Sequence, residues 1–170
     1  MSKAPPPAPP PQVAEPPARW LVGAQGAPLG PVLVDSGPLL ALFNAADDWH
    51  APVAAWLRTY PGALLVSTWP VLTETTHLMN ARLSSAVAAR FLGNVADGFC
   101  AIHALDPAEI RRIAELMRKY AKLPMDLADA SLLLLAEHLG DGRILSTDQR
   151  DFRTYRFKNH QPFRNLLLPD

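Results

Sequence analysis

A single cysteine, Cys100, is all the thiol chemistry the chain carries, so no disulfide can form within it and no thiolate metal cage is available. Its place in the apolar run FCAIHAL reads as a small buried side chain. The five histidines, His50, His77, His103, His138 and His160, are scattered without zinc-ligand spacing. Charge of one sign is missing too. Lys+Arg and Asp+Glu both number 16, for a formal net charge of +0, which excludes a uniformly basic surface and leaves any phosphate contact to a local patch. No apolar run approaches the roughly 18 residues needed to cross a bilayer, and the N-terminus lacks a charged-then-apolar signal layout. The expectation is a cytoplasmic protein without a membrane partner. The one glycine-rich stretch, GAQGAPLG, has no strand before it and disfavours a phosphate-cradling loop.

What is present is unevenly distributed. More than half of the 18 prolines fall before residue 32, in a segment that removes backbone donors and favours solvated, extended conformers. This reads as a disordered Pro-rich leader over 1–30. The remainder, 31–170, has the size of one domain with one core.

From Pro31 onward, short β-branched runs alternate with longer helical stretches, the signature of βαβ units and a parallel sheet. Strands are expected at Val32 to Asp35, Leu64 to Ser67, Phe99 to Leu105 and Arg143 to Ser146, with a weaker fifth at Asn165 to Leu168. Helices are expected at Pro38 to Asn44, His50 to Tyr60, Pro70 to Arg82, Ser84 to Ala96, Pro107 to Lys122 and Leu127 to Leu139. Pro38, Pro70 and Pro107 stand at or near helix starts, where a missing N–H costs nothing. Gly62 and Gly140 stand just past helix ends, where a left-handed residue is wanted.

Four acids stand out because each is tied to an apolar segment: Asp35 after VLV, Glu74 in PVLTETTHL, Asp129 in MDLADASLLLL and Asp148 after RILST. Asp35 and Asp148 end strands, where open parallel sheets bind ligands. Glu74 has Val71 three residues before it and Leu78 four after, and Asp129 has Leu132 and Leu133 at the same spacing, so both share an apolar helix stripe. Neither position suits a solvated carboxylate. Buried carboxylates are costly without a partner, so several of them at one sheet edge point to a shared cation, and oxygen-only ligation suits Mg2+ or Mn2+. Each acid also has a local explanation. Asp35 and Asp148 could close strands through Asx turns, Asp126 is a natural helix N-cap, and Glu74 could pair with Arg82 or Arg90.

The order VDSGPLLALF, TET, KYAKLPMDLADASLLLLAEHLG and RILSTDQRDFRTYR resembles a PIN domain, and more narrowly the VapC toxins of bacterial toxin-antitoxin pairs, over about Val32 to Phe157. The resemblance implies a three-layer α/β/α fold around a mainly parallel sheet of four to five strands. It puts the family's four catalytic acids on Asp35, Glu74, Asp129 and Asp148, with Asp35 and Asp129 as direct metal ligands. Ser36 and Thr147 match small hydroxyl positions, and Asp126 and Asp151 are further acids near matching ones. The thirty or so extra residues at the start depart from the family pattern.

The activity so implied is that of a Mg2+-dependent endoribonuclease leaving a 3′ hydroxyl and a 5′ phosphate. A homodimer is implied, and so is an antitoxin partner that inserts a basic residue among the acids. RNA would need basic residues at the edge of an acidic pocket. Arg150, Arg153, Arg156, Lys158 and Arg164 supply them, with Tyr155 and Phe157 as stacking surfaces between. A second basic set, Arg111, Arg112, Arg118, Lys119 and Lys122, reads as a solvated helix face. The alternatives are a Mg2+-dependent DNA nuclease or phosphatase, and a non-catalytic RNA- or protein-binding module. A receiver-like signalling domain fits poorly, because of the long helical insert between the second and third strands.

Overall fold

The computed structural model describes residues 30–168 except Pro124, so the Pro-rich leader lies outside the described residues. Strand β1 (Val32–Val34) is followed by helices α1 (Ser36–Leu42) and α2 (His50–Thr59), then β2 (Leu65–Thr68), α3 (Trp69–Arg82) and α4 (Ser85–Ala96). Next come β3 (Ala101–His103), a 3-10 turn at Pro107–Glu109, α5 (Ile110–Lys119), α6 (Leu127–Leu139) and β4 (Arg143–Leu145). The chain ends in α7 (Gln149–Thr154) and the short strands β5 (Arg156–Phe157), β6 (Gln161–Pro162) and β7 (Arg164–Asn165).

The order β3-β2-β1-β4-β7 makes one five-stranded sheet in which every pairing is parallel. Helices flank it, as the alternation predicts. Val32, Leu33 and Val34 on the central strand are all buried, the continuous apolar run that a sheet covered on both faces demands. Helix α6 is buried without a break from Ala130 to Ala136, which explains why LADASLLLLAEHL is apolar all round rather than striped. Because all five strands run the same way, their carboxyl ends share one edge, and the loops following β1 and β4 open there.

Several boundaries differ from expectation. The helix after β1 begins at Ser36 rather than Pro38, because the carboxyl of Asp35 caps it. The third strand is the shorter Ala101–His103, and the stretch expected as one helix from Pro107 splits into a 3-10 turn and α5. Asp106 and Glu109 form a capping box there that tightens the first turn. The last strand is Arg164–Asn165, not Asn165 to Leu168. Gly140 caps α6 in the left-handed region at φ 67°, but Gly62 is not left-handed; Gly98 takes that conformation instead. The segment after Asp148, read as a basic stretch, folds into α7 and a β5–β6 hairpin. Tyr155 and Phe157 are buried in it, so neither is a surface on which a base could stack. Cys100 is buried, and burial pushes its thiol up to about 12, far from reactive. No helix among the described residues is long and apolar enough to cross a membrane.

Candidate active site

Three helix N-termini converge on the carboxyl edge of the sheet, and an acid caps each. Asp35 Oδ1 accepts a hydrogen bond from the N–H of Ser36 at 2.7 Å and opens α1. Asp126 Oδ1 accepts from Asp129 N at 2.9 Å and opens α6. Asp148 Oδ1 accepts from the N–H groups of Arg150 and Asp151, both at 2.9 Å, and opens α7. Asp126 and Asp148 thus have the local roles suggested for them, Asp35 caps a helix rather than closing an Asx turn, and none of these roles competes with a site. Capping uses one carboxylate oxygen and fixes the direction in which the other points.

These caps line a cavity of about 470 Å³ together with Glu74, Asp129, Asp47 and Asp151. Seven carboxylates thus face one space, and Arg82 is the only basic residue among those lining it. Ser36 and Thr147 lie in the same wall. Gly37 is packed so closely on the Thr147 side chain that a Cβ there would collide with it, so this glycine lets the β1–α1 and β4–α7 loops approach. Glu74 is half-buried beside the buried row Val71, Leu72, Thr75 and Met79, and among the described residues it makes no ion pair with Arg82 or Arg90. Arg90 stacks instead on the Phe43 ring at 5.5 Å. Glu74 and Asp129 are both partly exposed, less enclosed than their helix stripes suggest, because the cavity itself gives them solvent.

The electrostatics follow from this crowding. Burial, opposed by bonds from Ser146 and Ser36 and reinforced by Glu74 and Asp126, pushes the Asp35 carboxyl up to about 6. Burial and the charges of Asp126 and Asp35 push Asp129 up to about 7, while the Tyr155 hydroxyl, donating to Asp129 Oδ2 at 3.2 Å, partly offsets them. That tyrosine is itself held protonated, first by burial and then by the surrounding carboxylates.

Residues that pattern reasoning missed hold this edge together. Ser146, fully buried, donates from Oγ to Asp35 Oδ2 at 2.8 Å and accepts from Asp148 N at 3.0 Å. It, rather than Thr147, is the hydroxyl that joins the first and fourth acids. Asn165 on β7 holds Ser146 in turn: its Nδ2 donates to Ser146 O at 2.7 Å, and its Oδ1 accepts from Ser146 N at 3.3 Å. Asp47 and the Tyr155–Asp129 bond were equally unforeseen. The only available signal was a small hydroxyl residue two positions before Asp148.

The donor set fits a hard divalent cation, being carboxylate oxygens with little positive charge nearby. Among the described residues, no three His, Cys, Asp or Glu side chains are drawn into a closed ligand cage. The arrangement is an open acidic cavity. His77 is exposed and lines a neighbouring groove with Glu74, Asp126 and Trp69.

An acid-lined cavity at the carboxyl edge of a parallel five-stranded sheet defines a class of small α/β domains. Comparison with known proteins makes it specific. A PIN domain family model matches residues 32–158. Ribonuclease VapC26 of Mycobacterium tuberculosis is 30% identical over 125 residues, which span 74% of this chain and 92% of that protein. The crystal structure of Mycobacterium tuberculosis VapC20, described as a sarcin-ricin loop cleaving toxin, superposes with a TM-score of 0.64 at 18% identity, covering 71% of this chain and 92% of that one. That second likeness concerns the fold. The chain belongs to the PIN domain family, as a VapC-type member.

Proposed function

We propose that this protein is a divalent-metal-dependent endoribonuclease acting in the cytoplasm as the toxin of a toxin-antitoxin pair. Asp35, Glu74, Asp129 and Asp148 are its catalytic acids, and Asp35 and Asp129 are direct ligands of Mg2+ or Mn2+. The observation that carries the reading is the pair Asp35 and Asp129. Burial raises the pKa of both, Glu74 and Asp126 add to the effect on Asp35, and Asp126 and Asp35 add to that on Asp129, an arrangement that costs stability unless a cation joins them. The 30% identity to a named ribonuclease supports RNA as the substrate.

A bound divalent ion would supply Lewis acidity, stabilising charge on the phosphoryl oxygens and favouring deprotonation of a water. The remaining work falls to the chain. Ser146 aims one oxygen of Asp35 and fixes the Asp148 cap, while Tyr155 orients Asp129. Glu74 and Asp148, on opposite sides of the cavity, accept hydrogen bonds from water and orient it toward the phosphodiester. Asp126 and Asp151 add negative charge that strengthens cation binding. Arg150, Arg153 and Arg156 stand on or just after α7, the helix that Asp148 caps, and are the basic residues expected to meet phosphate. The seven acids also suit a partner that neutralises them with a basic side chain, as an antitoxin would, and the VapC-type likeness extends the expectation of a homodimer.

The test compares the purified chain with Asp35→Asn on single-stranded RNA, the same sequence as DNA, and a phosphomonoester, with Mg2+, Mn2+ or EDTA. Asparagine also caps helices, so the variant keeps its fold. RNA cleavage should require the cation and fall at least about a hundredfold in the variant. Equal cleavage by both chains, or activity confined to DNA or the monoester, overturns the reading.

A further inference from the structure

A second cavity, of about 510 Å³, opens on the far side of Asp148, between α7 and β7. Its rim carries Arg153 and Arg164, and its floor is apolar, with Pro162 exposed and Leu168 partly exposed over the buried Phe152 and Phe163. Phe152 and Phe163 are locked edge to face at 5.2 Å, so the floor is preformed. The two arginines differ from most cations around them. Arg112, Arg143 and Arg150 each pair with a carboxylate, and Arg156 Nη1 is spent on the backbone oxygens of Arg153 and Tyr155. Among the described residues, Arg153 and Arg164 have no acidic partner, and both are exposed. Two unneutralised guanidinium groups above an apolar floor form a site for an anion attached to something flat and apolar.

We propose that this cavity is a nucleotide subsite for the RNA strand beside the scissile bond, and the inference rests on the ribonuclease reading above. Arg153 and Arg164 take the phosphate, and the apolar floor takes the attached base. Three observations support it. Asp148 lines both cavities, so the arginine-rimmed one adjoins the acidic site on this side. The volume lies within the range that takes a single nucleotide-sized ligand. The charge is complementary where it needs to be, since the acidic site repels a polyanion and needs a cationic neighbour to hold the flank. Arg164, on β7, lies beyond residues 32–158, the stretch that the family model matches. The base is expected to lie against Pro162 and Leu168 by apolar contact rather than through base-specific hydrogen bonds, which predicts sequence tolerance at this position.

The experiment measures binding of a fluorescent single-stranded RNA to the full-length Asp35→Asn chain by anisotropy, in Mg2+ and over a series of salt concentrations. Arg153→Ala and Arg164→Ala should each weaken binding several-fold. Each should also lower the slope of log affinity against log salt by about 0.7, the value for one phosphate contact on a single strand. Arg164→Lys should keep the slope, and Arg118→Ala, on the exposed face of α5, should change nothing. Thermal melts of all variants should coincide, because Arg153 and Arg164 are exposed. RNA bound equally well and with the same slope by the parent and both alanine variants overturns the subsite while leaving the ribonuclease reading intact. Absence of RNA binding and cleavage by the parent overturns both.

Discussion

The two cavities that meet at Asp148 are similar in size, about 470 and 510 Å³, and opposite in character. Among the described residues, one is walled by seven carboxylates with a single arginine, and the other has an apolar floor of Pro162 and Leu168 over buried rings, rimmed by two arginines. Their supports differ accordingly. Hydrogen bonds hold the acidic side, through helix caps, Ser146 and Tyr155, and neighbouring carboxylates raise the cost of ionising Asp35 and Asp129. Packing holds the other side, because Phe152, Tyr155, Phe157 and Phe163 form a continuous set of edge-to-face rings. Tyr155 belongs to both: its ring packs on Phe152 while its hydroxyl reaches Asp129. A charged site is thus built against an apolar cluster that does not depend on it for stability.

Changes on each side should break this contrast to different degrees. The largest effect belongs to Phe152→Ala, which opens the aromatic cluster and should cost about 3–5 kcal/mol in chemical denaturation. Because Tyr155 loses its packing partner, the loss should reach the acidic side as well. A variant that unfolds like the parent would show that the ring cluster is not what holds the edge.

Ser146→Ala removes the bridge between Asp35 and Asp148 and leaves the Asp148 N–H without its acceptor. A stability loss of about 1–3 kcal/mol is expected. Weaker Mn2+ binding by calorimetry should accompany it, and unchanged metal affinity would restrict Ser146 to a packing role.

Asp129→Asn should have the opposite sign. In the folded chain without a cation this carboxyl titrates near 7 instead of 3.8, so between those values the folded state keeps a proton that the unfolded state has released. Stability then falls as pH rises from about 4 through 7 and levels off above. In EDTA the asparagine variant should therefore be more stable than the parent at about pH 8, by on the order of 1–2 kcal/mol, and indistinguishable from it near pH 4. Equal stability of the two chains across that range would remove the electrostatic cost assigned to the cavity.

The smallest effect is Arg150→Ala. The guanidinium pairs with Asp151 at 2.8 Å but is mostly exposed, so the melting temperature should drop slightly in low salt and not in high salt. A large, salt-independent drop would mean that Asp151 relies on this partner.

Much of the architecture is legible in the residue pattern because burial has a local period. VLV and RIL mark strands covered on both faces, and LADASLLLLAEHL marks a helix buried all round. Asp35 follows β1 directly and Asp148 comes three residues after the end of β4, which places two of the acids at the strands' carboxyl edge without any tertiary information. The tail is where reading fails. RDFRTYRFK looks like a basic surface strip with aromatic residues between the charges, yet its aromatics turn inward and its arginines take three different roles. Alternating charged and aromatic residues suit a solvated strip and a short helix followed by a hairpin equally well, and only contact with α6 and β7 selects between them.

By itself the sequence determined the parallel α/β framework and singled out acids beside apolar segments, though not Asp47, since both are written in patterns spanning a few residues. Tertiary structure decided which hydroxyl joins Asp35 to Asp148, which arginines remain unneutralised, and which aromatics are core. The physical reason is separation along the chain. The Ser146–Asp35 bond spans 111 positions, and that between Tyr155 and Asp129 spans 26, distances over which no local pattern carries information about which atoms meet.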